Sequence, residues 1–283
     1  MINLRSRSEI LKMRKAGLVV WKALQLVKAL VRPGVKTKDI DQAVEEFYRK
    51  CKAESLFKGY PGKVPFPAVT CISVNDEVVH GIPGERVIAE GDIVSVDTGC
   101  RVDGWCGDAA VTIPVGNVAP QVARLVDVTK RTLDLAIELA GKKTYWSEVA
   151  AAMQDYVRSH GFSVVEAFVG HGIGRQMHEE PQVPNFVNEF FLRRGDFRLQ
   201  PGLVIAIEPM VNLGTKKVRL SRDYWTQLTA DGKPSAHFEH TVAITEEGPY
   251  VLTGPLGPMD EQMGFDPEKE GCLALLEIEK QSS

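Results

Sequence analysis

Apolar residues recurring at three- and four-residue steps open the chain. Ile10, Met13, Val20, Leu24, Val27 and Val31 form one stripe on a helix predicted over 8–31, which Arg32-Pro33-Gly34 stops. Thr37 suits the N-cap of a second helix, with Ile40, Val44, Phe47 and Tyr48 on one face up to about Lys52. Residues 53–70, rich in glycine, proline and aromatics, read as a loop. The period then shortens, predicting strands at about 69–74 and 86–89 and a hairpin over 92–114.

The same order starts again. A helix is predicted over 120–140, with Val122, Leu125, Val126, Leu133, Ile137 and Ala140 inward and Gly141 as C-cap. Another follows at about 147–160, closed by Gly161, and strands follow at about 163–170, 203–210, 225–229 and 237–245. Gly34-Val35-Lys36-Thr37 and Gly141-Lys142-Lys143-Thr144 occupy the same place in each half. This weak repeat predicts an internal duplication with a pseudo-two-fold axis. The fold class expected is α+β, an antiparallel sheet backed by helices. A single catalytic domain over 1–253 is expected, then a C-terminal extension over 254–283, poorly ordered or strapped to the surface.

Composition narrows the class. With 44% hydrophobic and 25% charged residues the chain matches an ordinary globular protein. A net charge of −3 supplies no basic field, so specific nucleic-acid binding is not expected. The longest apolar runs are about five residues, far short of the ~20 needed to span a bilayer. The start, MINLRSRSEILKMRKAG, has no apolar core of a secretory signal. The five cysteines are odd in number and form no CxxC pair, which indicates reduced thiols in a cytoplasmic setting rather than disulfides or a cysteine zinc site.

The chemistry lies in four acids and a histidine, each in a short apolar phrase: Asp97 in VSVDTGC, Asp108 in WCGDAAV, His171 in VGHGIGR, Glu208 in AIEPMV and Glu239 in HFEHTV. A lone carboxylate in such a strand would cost several kcal/mol or sit protonated; a cluster of them calls for cations. Asp103-Gly104 is a strong hairpin signal. A two-residue loop there sets Asp97 opposite Ala110 and puts Asp108 diagonally on the same face, ~7–8 Å away at Cα. Two aspartates so placed can converge on metal ions ~3.5–4 Å apart. Each residue alone is also readable as structural: an acid near a turn, an ion-paired core residue, a satisfied histidine. The oxygen-rich set suits Mn²⁺, Fe²⁺ or Co²⁺ better than a tetrahedral cysteine/histidine zinc site.

The phrases NDEVVHGIP, GDIVSVDTG, GWCGDAA, GHGIGRQMHEEPQV, IEPMVN and EHTVAIT resemble those of the type I methionine aminopeptidases, of the pita-bread fold, from about Ile10 to Tyr250. The resemblance implies that Asp97, Asp108 and Glu239 hold one metal and Asp108, His171, Glu208 and Glu239 a second, with Asp108 and Glu239 bridging. The implied cofactors are two divalent ions, with Co²⁺, Mn²⁺, Fe²⁺, Ni²⁺ and Zn²⁺ as candidates. It also implies that Glu208 shuttles a proton, that His178 hydrogen-bonds the developing oxyanion, and that His80 contacts the substrate backbone. Phe57, Tyr60, Cys71, Met177 and Trp225 match positions of the methionine pocket. Phe57 replaces a frequent tyrosine, Met177 a frequent phenylalanine, Glu54 stands where a pocket cysteine is common, and the 61–70 loop is longer than usual. The implied reaction is removal of the initiator methionine from nascent N-termini with a small second residue, at or near the ribosome, by a monomer.

Three rivals stand beside this reading. A proline-specific peptidase of the same fold usually carries a large N-terminal domain, whereas only about 90 residues precede Asp97, and an extra histidine where this chain has Arg175. A type II methionine aminopeptidase carries a long helical insertion, for which the 31-residue step from Glu208 to Glu239 leaves little room. A catalytically inactive pita-bread binding protein would lack one or more of the five ligands, all of which are present here.

Overall fold

In the computed structural model, which describes residues 2–269, the first apolar stripe forms α1 (Arg7–Leu30). Ser6 and Glu9 close its N-terminus as a reciprocal capping box. Then follow α2 (Thr37–Lys50), α3 (Pro120–Ala140) and α4 (Trp146–Ser159), all close to the predicted spans. Thr37 is the first residue of α2 rather than its cap. Its hydroxyl instead donates to Gly84 O (3.1 Å) and accepts from Gly84 N (2.9 Å).

The hairpin Ile93–Val102 and Trp105–Pro114 has the predicted register, Asp97 opposite Ala110 and Gly99 opposite Asp108. Asp103 (φ 51°) and Gly104 (φ 77°) both take the left-handed conformation of a tight hairpin turn. Cys71–Val74 pairs on the other edge of the first strand, with Cys71 opposite Asp97. The predicted strand at 86–89 is not formed: Val87 makes an isolated bridge to Lys36, and Glu77–Val79 pairs in its place with Gln227–Thr229. The 53–70 loop contains one short strand, Glu54–Ser55, against Cys100 and Arg101.

The second half is more broken than its hydrophobic runs predict. Strand 163–170 reduces to Ser163–Val164, and Gly170–Gly172 begins a separate strand that pairs with Glu179–Val183. The run 203–210 divides into Val204–Ile207 and Met210–Asn212, and the run 237–245 into Ser235–His237 and His240–Thr245. At its break the first run passes from the five-stranded to the three-stranded sheet and the second run passes back, and Glu208 and Glu239 sit at those two breaks. Short helices α5 (Glu189–Arg194) and α6 (Pro258–Met263) lie outside the predicted set.

The internal repeat has a structural counterpart. Lys36, just before α2, bridges Val87, and Tyr145, just before α4, bridges Arg198. Beyond residue 253 the chain returns to α1: buried Arg14 donates to Leu252 O, Gly254 O and Pro255 O and pairs with Asp260 (2.7 Å). The rest of the predicted extension, 270–283, lies outside the described residues. No described helix is long and apolar enough to cross a membrane.

Candidate metal centre

The two strand systems meet edge to edge at the site. Glu239 N donates to Ala110 O (2.9 Å) and Ala110 N to Glu239 O (3.4 Å). Thr241 stitches the neighbouring position, its hydroxyl donating to Asp108 O (2.8 Å) and accepting from Asp108 N (3.1 Å). Asp108 and Glu239, from opposite halves of the chain, are thereby held rigidly side by side, 3% and 2% exposed. His171 joins them: one ligand atom from each of Asp108, His171 and Glu239 lies within 4.8 Å of the others. Glu208 adjoins this cluster, its Oε1 3.6 Å from His171 Nε2.

The donor atoms are those a cation needs. Asp97 Oδ1, Asp108 Oδ1 and Glu239 Oε1 are buried with no hydrogen-bond partner among the described residues, a state that is expensive unless a cation fills it. The His171 Nδ1 lies 2.9 Å from Gly172 O, so this nitrogen carries the proton and Nε2 presents its lone pair. At Gly99 a Cβ would stand 2.8 Å from Asp108 Oδ1, so only glycine leaves the space beside that oxygen open. Electrostatics agree. Burial raises the carboxyls of Asp97, Glu208 and Glu239 well above the usual range, with repulsion from Asp108 as the next cause, and raises Asp108 to about 7. Burial, and then neighbouring His178, lowers His171 to about 4, so it stays neutral and able to ligate.

All residues singled out from the sequence line one cavity of about 150 Å³. Asp97, Asp108, His171, Glu208 and Glu239 form one end, and Phe57, Tyr60, Cys71, Met177 and Trp225 the apolar other. His80 and His178 also line the cavity, His178 with its ring centroid 4.4 Å from that of His171 and His80 with its centroid 6.4 Å from that of Trp225. His80 holds a left-handed backbone (φ 60°), uncommon for a side chain of its size, and its imidazole is lowered to about 4 by burial and then by His178. The Tyr60 hydroxyl lies 2.8 Å from His178 Nδ1. Glu179 fixes the loop that carries Met177 and His178, accepting from Arg175 N (2.8 Å), Gln176 N (3.1 Å) and the Arg5 guanidinium.

Two lining residues escaped the sequence reading. Phe66, 3% exposed, meets Trp225 edge-on with ring centroids 5.3 Å apart and closes the slot from the 61–70 loop. That loop is tied down by Gly59 N to Phe66 O (2.8 Å), Phe66 N to Tyr60 O (3.0 Å) and Trp225 Nε1 to Val64 O (2.8 Å). The extra loop length is the signal that could have pointed to it. The second is His237, which lines an adjoining cavity of about 550 Å³ beside Glu208 and Gln182.

Buried carboxylates and a neutral histidine gathered on a duplicated antiparallel scaffold define a metallohydrolase, and the description "Metallopeptidase family M24" matches residues 11–246. The chain belongs to that family and has its pita-bread fold. Within it, the resemblance is to methionine aminopeptidases. That of Clostridium perfringens is 47% identical over 253 residues, 89% of this chain and 99% of that one. Methionine aminopeptidase 1 of Bacillus subtilis is 44% identical over 89% of this chain and 99% of its own. The crystal structure of the Thermotoga maritima enzyme superposes with a TM-score of 0.85 at 43% identity, covering 90% of this chain and 100% of that one. A prolidase from Pyrococcus furiosus, at 21% identity and a TM-score of 0.71 over 90% of this chain and 66% of its own, shares the fold alone.

Proposed function

We propose that this protein removes the N-terminal methionine from nascent proteins and peptides whose second residue is small, as a dinuclear metal-dependent aminopeptidase. The observation that carries the reading is one cavity joining an apolar, sulfur- and aromatic-lined slot to five side chains that want cations. Asp97, Asp108 and Glu239 would hold one divalent ion, and Asp108, His171, Glu208 and Glu239 the other. When bound, such a pair supplies a water nucleophile at neutral pH and polarises the scissile carbonyl.

The chain's own groups do the rest. Phe57, Tyr60, Phe66, Cys71, Met177 and Trp225 enclose the polarisable thioether and exclude water around it. Glu208, buried beside His171, takes the proton of the attacking water and returns it to the leaving amine. Because the Tyr60 hydroxyl can donate to His178 Nδ1, the neutral ring keeps its proton on Nε2, which donates to the developing oxyanion. His80 holds the substrate main chain beyond the scissile bond, where the crowding of His80 and His178 admits only a small second side chain. Met177, flexible where a rigid ring is common among similar chains, loosens selection around the methionine. The reaction belongs in the cytoplasm, on chains leaving the ribosome, and the protein acts as a monomer; the thiols of Cys51, Cys71, Cys100 and Cys106, none of them in a disulfide, accord with a reducing compartment.

The test is cleavage of Met-Ala-Ser against Ala-Pro-Ala by metal-stripped protein given Mn²⁺, Fe²⁺ or Co²⁺ in turn. The methionine peptide should be cleaved only with metal. Faster cleavage of the proline peptide would give the site to a proline-specific peptidase, and no cleavage of either with metal bound would make it a binding module.

A further inference from the structure

His237 is a buried imidazole that the roles above leave unused. It ends the strand Ser235–His237, opposite Met210, and is 2% exposed. Its main chain is fixed by Thr112, whose hydroxyl accepts from His237 N (2.9 Å) and donates to His237 O (2.7 Å). Any residue but proline could make those two bonds, so they do not account for an imidazole. The ring Nε2 has no hydrogen-bond partner among the described residues and stands 4.0 Å from Glu208 Oε2. Glu208 Oε1 faces His171 Nε2 at 3.6 Å, so two imidazoles bracket one carboxylate, each nearest a different oxygen. A buried ring nitrogen left unpaired is costly, and such groups recur where an ion or a reaction completes the site. Four ångströms is too long for a hydrogen bond, but a modest turn of the carboxylate closes it, and active-site bonds of this kind commonly tighten only in the loaded enzyme.

We propose that His237 is a positioning residue for Glu208. Its Nε2–H engages Glu208 Oε2 and turns Oε1 toward the cation beside His171 Nε2. The proposal rests on the metal reading above and adds to it a residue outside the five ligands. Outer partners of this kind orient ligating carboxylates and typically change metal affinity or activity 10–100-fold.

The test compares His237→Phe, which keeps a ring and removes the donor, with His237→Gln, which keeps a donor. Metal-stripped proteins are titrated calorimetrically with Mn²⁺, and kcat and KM are measured separately on Met-Ala-Ser. His237→Phe should weaken the weaker of the two Mn²⁺ steps by about 10–100-fold and lower kcat comparably with KM nearly unchanged, while His237→Gln recovers most of both. Wild-type protein loaded with diamagnetic Zn²⁺ should also show a slowly exchanging His237 Nε2–H resonance, a readout that stands even if the phenylalanine variant does not fold. A His237→Phe protein that binds Mn²⁺ and turns over like the wild type, a glutamine variant as impaired as the phenylalanine one, or a missing Nε2–H resonance would each overturn the proposal. Wild-type protein that takes up no Mn²⁺ would overturn the metal reading itself, and this proposal with it.

Discussion

Glu208 and Glu239 face each other across a break in a single register. The register that pairs Ile207 with His240 continues beyond the break to pair Met210 with His237, and it sets 208 against 239. Both carboxylates therefore leave the ladder where the two strands change sheets together. Strand alternation no longer dictates where they point, and they turn toward Asp108 and His171.

Neutralising an acid of this cluster should disable it. Asp108→Asn or Glu239→Gln keeps the shape, removes one negative charge and leaves a buried amide beside the remaining carboxylates. Since outer-shell losses alone amount to 10–100-fold, each variant should lose more than about 100-fold in kcat/KM and bind substoichiometric metal by elemental analysis. Normal metal content together with normal turnover would contradict the assignment.

Metal affinity should rise with pH. Asp108 sits near 7 in the metal-free protein against an ordinary 3.8, raised chiefly by burial. Because the folded value lies above the unfolded one, its protonated form favours the fold. That contribution is complete below pH about 4 and is lost as pH climbs through about 7. A cation replaces the proton as the partner of the carboxylate, so the gain in Tm on adding Mn²⁺ should grow between about pH 5 and 7.5. His171, lowered to about 4, stays neutral throughout and adds no competing step. A Tm gain independent of pH in scanning fluorimetry would count against this picture.

Phe66 should set selectivity. Phe66→Ala removes the wall against Trp225 and enlarges the slot. Cleavage of Met-Ala-Ser should fall about tenfold in kcat/KM, since one lost apolar contact is worth ~1–3 kcal/mol, while N-terminal leucine or phenylalanine peptides gain relative to methionine. Gly62→Ala should shift selectivity the same way, because its Cβ would meet the Trp225 ring at 2.5 Å and push it aside. Unchanged ratios among these peptides in both variants would remove the loop from the pocket's function.

Arg14 and Asp260 form a buried pair, with side chains 0% and 8% exposed. Asp260→Ala strands the guanidinium and should destabilise by about 3–5 kcal/mol, a fall in Tm on the order of 10 °C. Replacing both, by Arg14→Met and Asp260→Leu, should recover much of the loss. Calorimetric melting of the single and double variants decides the matter.

The long elements and the first hairpin were legible because each carries its own local signal. The α1 stripe, the α3 stripe and the Asp103-Gly104 turn specify period and register without outside help. Asp97 and Asp108 were placed by that register alone. The strand breaks at Glu208 and Glu239 were not legible, because the interruption arises from two sheets meeting rather than from a turn within either run. Strand 86–89 failed for a related reason: Val87 finds only the single partner Lys36, while Glu77–Val79 gains a full neighbour in Gln227–Thr229. His237 and Phe66 stayed hidden because nothing in SAHFEH or VPFPA states which way a ring turns.

The Arg14 strap makes the order of synthesis matter. The first helix is translated with an arginine whose carboxylate partner comes 246 residues later, which at ~5–20 residues per second leaves it unmatched for roughly 10–50 s. Its carbonyl partners at 252, 254 and 255 arrive hardly sooner. Until then α1 carries a guanidinium without the partners that compensate its burial, and a chain cut short after Thr245 would lack them altogether. The strap is thus among the last contacts that a newly made chain can form.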